Sequence, residues 1–185
     1  LLEYQNHNNA YVYTTKKSEV RAIKKEVAAV ESLGFPCEFV TKTGLPFEIA
    51  GAICFKNQAQ FHPLKYVSGL CKSISSNGGK IYTNTVATKV EKDYNSTYMV
   101  STKNNTIRSK YVIVATHYPF INFPGFYFTK MYQSTSYIIA VDAKKTLFNG
   151  MYINFAEPIF SYRTAKYQGR ELLLIAGGDH RTGEP

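Results

Sequence analysis

Apolar positions along this chain fall into two periods. Between residues 20 and 33 they recur at Val20, Ile23, Val27, Val30 and Leu33, a spacing that lines one face of an α-helix, with Lys24, Lys25 and Glu31 turned to water. Lys17, Ser18 and Glu19 lead into this helix, and Gly34 supplies the left-handed residue that stops one. A second helix is predicted from Pro63, whose fixed φ suits the first helical turn, through Leu64, Val67, Leu70, Cys71 and Ile74, ending before Asn77-Gly78-Gly79. Elsewhere the pattern alternates or forms short apolar runs, as strands do. Ala10–Thr15 and Gly51–Phe55 are strands, separated by the first helix and by a connecting region, residues 35–50, punctuated by Pro36, Gly44 and Pro46.

From Lys80 onward the helical period is gone. Ile81–Thr83, Val86–Val90, Tyr98–Thr102 and Thr106–Arg108 read as short strands separated by Asn-rich turns, the pattern of a β-meander. Tyr111–Thr116 is nearly continuous in apolar residues, which predicts a strand buried on both faces and hence a covered, largely parallel sheet. After a loop holding Pro119, Pro124 and Gly125, four more strands are expected at Ser136–Val141, Met151–Phe155, Ile159–Arg163 and Glu171–Gly177. The tight turns between them favour antiparallel pairing.

Composition narrows the class. With 44% hydrophobic and 19% charged residues the chain is not intrinsically disordered, and its 185 residues suffice for one large domain or two small lobes. A formal charge of +9 suits nucleic acid, an anionic surface or a phosphate-bearing cofactor, but the basic residues are spread out and form no single run. No apolar stretch approaches the roughly 18 residues of a membrane span, and no signal-peptide pattern opens the sequence, so a cytoplasmic chain is expected. Cys37, Cys54 and Cys71, odd in number and without CxxC spacing, suggest reduced thiols. Starting on Leu1 and stopping on Gly183-Glu184-Pro185, the sequence has the look of an internal piece of a longer chain.

Few motifs carry chemistry by themselves. His7, His62, His117 and His180 lack the spacing of metal ligands, so no metal site is expected. GxSxG, P-loop and GxGxxG patterns are absent; Gly177-Gly178 runs into Asp179-His180-Arg181-Thr182-Gly183 and opens no helix. The order of segments says more. A helix opening at Gln58-Ala-Gln-Phe-His-Pro-Leu-Lys-Tyr66, then Lys80-Ile-Tyr-Thr-Asn-Thr-Val86, a meander, and an apolar strand ending Ala115-Thr116-His117 resembles FAD-dependent oxidoreductases of the D-amino acid oxidase and glycine oxidase type. The likeness runs from about Ala10 to Gly183.

That resemblance implies an α+β fold with a mixed, largely antiparallel substrate-binding sheet and packed helices. To this it adds a β-meander and one buried strand from a truncated FAD-binding lobe. Residues 1–61 and 119–185 would form the substrate lobe and residues 62–118 the remnant of the FAD lobe. It places Val86 at the adenine end of FAD and Ala115, Thr116 and His117 over the cofactor, with His117 standing where many relatives have glycine. For the substrate it points to Gln60, His62, Tyr137 and Arg163, the last able to grip a carboxylate through two parallel hydrogen bonds. The implied reaction is hydride transfer from a small amine or amino acid to FAD. The glycine-rich turn that holds the pyrophosphate is missing here, so this piece alone is expected to bind FAD weakly or not at all and to be inactive. A basic α+β module that binds nucleic acid or protein without catalysis is the alternative.

Overall fold

The computed structural model describes residues 5–142 and 148–183. They divide into two units, one of residues up to Gly69 with Ser134–His180, the other of Leu70–Gln133 with Arg181–Gly183. The fold is α+β, as the sequence implies. None of its helices is long and apolar enough to cross a membrane among the described residues.

In the first unit the chain forms β1 (Gln5–Thr14), α1 (Val20–Ser32), β2 (Cys37–Val40) and β3 (Gly51–Phe61), then the start of α2 (Pro63–Ser76). It returns as β7 (Ser134–Asp142), β8 (Met151–Asn154), β9 (Phe160–Tyr167) and β10 (Arg170–Arg181). These seven strands make one sheet in the order β2-β3-β1-β8-β9-β10-β7. β1 and β8 run parallel, while β2·β3, β3·β1, β8·β9 and β9·β10 are antiparallel. The sheet is therefore mixed and largely antiparallel.

Its centre is buried on both faces, which explains the unbroken apolar run at Gly51–Phe55. Val12 and Ile53 face α1, where Ile23 and Val27 complete a cluster flanked by Cys37, Phe39 and Phe55. Tyr13 and Ala52 point the other way, against Leu45 and Tyr152. The helix stripe thus packs as its spacing requires, except at Leu33, which follows the last turn and is exposed. Gly34 ends α1 at φ +79°, with Phe35 N–H returning to the Val30 carbonyl at 3.3 Å. Gly51 is held by a close approach instead: a Cβ there would lie 2.7 Å from the Phe39 ring.

Two features of this unit escape sequence periodicity. β2 lies in the proline- and glycine-punctuated connection and pairs at the sheet edge with Ala52–Phe55. β3 runs on past Phe55 to Phe61 because Asn57, at φ +55°, takes up a bulge where the register against β1 shifts between Asn8 and Ala10. Asn57–Phe61 therefore continue a strand instead of leading into a helix.

The second unit holds the meander, β4 (Ala87–Lys92), β5 (Tyr98–Thr102) and β6 (Thr106–Ser109), all antiparallel. The first turn is closed by Asp93 N–H to the Thr97 carbonyl at 2.7 Å, and Arg108 reaches the Asp93 carboxylate at 3.5 Å. Two expected strands do not form. Ile81–Thr83 lies in an irregular stretch and turn, and Tyr111–Thr116 has no regular secondary structure. Tyr111 and Ile113 are 85% and 90% exposed, so the apolar run lacks the sheet neighbours that would make it a buried strand, and no covered parallel sheet surrounds it among the described residues. The stripe of α2 is likewise left open at Leu64, Val67 and Ile74.

Candidate functional site

The bulge in β3 sets up a cleft in the first unit. By carrying the strand on to Phe61, it brings Gln60 beside β9, where Gln60 Nε2 donates to the Thr164 backbone carbonyl at 3.1 Å. The chain then turns at His62 into α2, and His62 Nδ1 accepts the Lys65 N–H at 3.4 Å, as an N-cap side chain does. Across from these lie Arg163 and Thr164 of β9, with Leu172 and Leu174 of β10 behind them. The space enclosed is an open cleft of about 490 Å³, of a size that takes a small organic molecule.

Its chemistry is cationic. Arg163 is half-buried, yet its guanidinium makes no ion pair with any described carboxylate. Lys65 and Lys166 add two further positive charges at the mouth, against one carboxylate, Glu171. The amino end of α2 points the same way, since its first N–H groups and macrodipole favour an anion. An arginine in a cleft wall with no described carboxylate beside it is available to pair with an anionic ligand.

Three of the four residues expected at a substrate thus come together: Gln60, His62 and Arg163 all line this cleft. Tyr137 does not. It stands on β7, 66% exposed, stacked on His180 with ring centroids 5.5 Å apart. The site also contains two residues that periodicity passes over. Lys65 sits within the quoted helix-opening stretch, and Lys166 lies on β9 beyond Arg163, where the strand was expected to end.

The four residues expected at the cofactor lie in the second unit. Val86 precedes β4 and is 74% exposed, and Ala115, Thr116 and His117 are exposed on the irregular segment. They lie outside the cleft of the first unit, and among the described residues no glycine-rich turn opens a helix beside them. By themselves the described residues do not build a dinucleotide cradle.

Against this geometry the relatives are informative. A protein of Bacillus subtilis (strain 168), YhfW, whose name places it among Rieske 2Fe-2S iron–sulfur proteins, is 34% identical over 176 residues, which is 95% of this chain and 34% of that protein. Glycine oxidase from Geobacillus kaustophilus superimposes with a TM-score of 0.78 at 16% identity, over 97% of this chain and 50% of that one. The FAD-bound L-alpha-glycerophosphate oxidase of Mycoplasma pneumoniae does so with a TM-score of 0.70 at 15% identity, over 98% of this chain and 52% of that one. The chain spans about a third of the curated relative it matches and about half of these solved structures. Residues 2–184 match the DAO family, described as FAD dependent oxidoreductase, and with the shared fold this makes the chain a member of that family.

Proposed function

We propose that the complete protein oxidises a small amine or amino acid with FAD as the immediate acceptor, and that the first unit of this chain provides the substrate site. The observation that carries this is Arg163, a half-buried residue with no ion pair to any described carboxylate, in one cleft with Gln60 and His62. Arg163 holds the substrate carboxylate, and Lys65 and Lys166 raise the local concentration of anions at the mouth. Leu172 and Leu174 exclude water from one side of the bound molecule. His62 serves mainly to fix the start of α2, so its ring positions the wall of the cleft.

Most of the second unit belongs, on this reading, to the flavin lobe, together with the start of α2 from the first unit. Residues 62–118 form the part of that lobe present here, with Val86 near the adenine and Ala115, Thr116 and His117 beside the cofactor. Support comes from the apolar side chains of α2 and Tyr111–Thr116, which lie open to solvent and suit burial under further chain. FAD held by the complete protein would supply the two-electron acceptor, and the part of this chain is to hold and orient the substrate. Anaerobic mixing of the full-length protein with a panel of amino acids and amines tests the reading. Bleaching of the flavin by a carboxylate-bearing amine, lost in Arg163→Ala, supports it; a flavin that no member of the panel reduces overturns it.

A second reading concerns the onward acceptor. The likeness to YhfW, named for a Rieske 2Fe-2S centre, favours an iron–sulfur group as the next electron carrier in the complete protein. Iron and acid-labile sulfide analysis of the full-length protein decides this. An iron-free protein that still turns over with oxygen excludes it.

A further inference from the structure

Four tyrosines meet in one core cluster on the sheet face away from α1. Tyr13 and Tyr152 are buried there, and Tyr11 and Tyr162 pack against them. The strand registers set three of the four in a row with a thiol. Cys54 on β3 lies opposite Tyr11 on β1, Tyr11 lies beside Tyr152 on β8, and Tyr152 lies opposite Tyr162 on β9. Residues paired in this way project from the same face as nearest neighbours. The rings of Tyr11 and Tyr152 are stacked, with centroids 4.8 Å apart and planes 6° from parallel. The Tyr11 phenol and the Cys54 thiol are near enough for each to shift the other's proton affinity. Packing alone does not ask for such a row. Phenylalanine would fill the same space with no hydroxyl to desolvate, and a buried hydroxyl has to find a partner, as Tyr152 does in the Asn149 carbonyl at 2.6 Å. What tyrosine and cysteine share, and phenylalanine lacks, is a hydrogen atom that a radical can remove.

We propose that Tyr162, Tyr152, Tyr11 and Cys54 form a radical relay, which carries a one-electron oxidation from the half-buried phenol of Tyr162 across the sheet to the buried thiol of Cys54. The oxidant is a peroxyl or hydroperoxyl radical. It takes the phenolic hydrogen atom of Tyr162 and becomes a hydroperoxide or hydrogen peroxide, leaving a tyrosyl radical. Tyr152 and then Tyr11 each give a hydrogen atom, proton and electron together, to the radical before it, so every O–H bond broken is matched by one formed. Cys54 makes the last donation: its S–H bond breaks, the O–H bond of Tyr11 re-forms, and a thiyl radical remains. One hydrogen atom leaves the chain for each oxidant radical quenched. Burial raises the Cys54 thiol above its ordinary value, so it stays protonated and keeps the hydrogen that the relay needs. The same burial, at 2% exposure, hides Cys54 from direct attack, whereas Cys37 and Cys71 are half-buried. The relay is independent of the substrate proposed for the cleft.

Alkylperoxyl radicals, released steadily in air from an azo initiator into a solution of the full-length protein, are the probe, with peptide mass spectrometry as the readout. Cys54 should be oxidised to sulfinic and sulfonic acid ahead of the more exposed Cys37 and Cys71. Iodoacetamide, which needs an accessible thiolate, should show the reverse order. Tyr11→Phe should abolish the oxidation of Cys54 by peroxyl radicals and leave oxidised products on Tyr152 and Tyr162 instead. Where Tyr11→Phe fails to fold, Tyr162→Phe, at the half-buried entry, cuts the same row and should give the same loss. A Cys54 left intact in the wild-type protein overturns the relay without any variant. Oxidation of Cys54 that persists in the folded variant also overturns it, since the radical then reaches the thiol directly. Iodoacetamide reacting first at Cys54 overturns it on the same ground.

Discussion

The side-chain amide of Gln60 and the backbone carbonyl of Thr164 lie 3.1 Å apart, joining residues 104 positions distant in the chain. The bond ties the far end of β3 to β9, so it closes one wall of the cleft and supports the sheet at the same time. Both residues are buried, at 9% and 5% exposure, so the carbonyl has no water to fall back on once the amide is removed. Gln60→Ala should therefore lower unfolding free energy by about 1–3 kcal/mol, the usual cost of leaving a buried polar group unpaired. Urea melts check this as a lowered midpoint with an unchanged slope. Gln58→Ala is the control: Gln58 is exposed and bonds only the Lys56 carbonyl two residues away, so its loss should stay within about 0.5 kcal/mol.

Arg163 sets up the second prediction. Because no described carboxylate pairs with it, its replacement breaks no ion pair among the described residues, so the effect should fall on binding more than on folding. Arg163→Ala should weaken carboxylate ligands by about 10- to 150-fold, matching the 1.5–3 kcal/mol of a hydrogen bond to a charged group. Arg163→Lys should recover only part of this, because an ammonium cannot reproduce the planar two-pronged contact. Dissociation constants by calorimetry, with thermal melts alongside, separate the two effects. Arg108→Ala, which removes the pair with Asp93 in the meander, should leave affinity unchanged.

How much of this was legible beforehand depended on whether an element's burial comes from nearby chain. The α1 stripe was legible because its cover, Val12 and Ile53, lies on strands whose own alternation is plain. Tyr98–Thr102 was legible because Asn-rich turns bound it on either side. β2 was hidden by Pro36, Gly44 and Pro46, whose turn signals outweigh a strand of four residues. The end of β3 was hidden because Asn57 has the look of a turn residue and is instead the hinge of a bulge. Gln60, His62 and Arg163 were expected at a substrate through family likeness, while their meeting in one cleft depends on a register shift that no periodicity encodes.

Tyr111–Thr116 shows the opposite failure. Its apolar run is real, but strand structure needs a partner ladder, and none of the described strands pairs with it. Amide hydrogen exchange of this 185-residue chain should therefore find residues 111–116 exchanging fast, as unpaired backbone does, while Ala52–Cys54 exchange slowest. Slow exchange across 111–116 in the isolated chain would show a ladder that this structure does not contain. In the full-length protein the same amides should gain protection if further chain covers them, as the proposed flavin lobe requires.

Tyr13 and Tyr152 make stability depend on alkaline pH. Both are nearly inaccessible, at 5% and 2% exposure, and burial pushes each phenol up from 10.0 to about 12. Each is reinforced by a neighbour, Tyr162 for Tyr13 and Tyr11 for Tyr152, the latter stacked with ring centroids 4.8 Å apart. The folded state favours the neutral phenol, and the unfolded chain releases its proton more readily. Their contribution is thus complete below the unfolded value of 10.0 and is lost as pH rises through about 12. Urea midpoints should fall across that window and should be insensitive to these two groups below it. Tyr152→Phe should cost about 0.5–1.5 kcal/mol at neutral pH, since the hydroxyl donates to the Asn149 carbonyl at 2.6 Å. The same variant should flatten the alkaline decline, because a ring without a proton to lose cannot drive it. A decline of unchanged steepness in the Tyr13→Phe, Tyr152→Phe double variant would assign the alkaline transition to other groups.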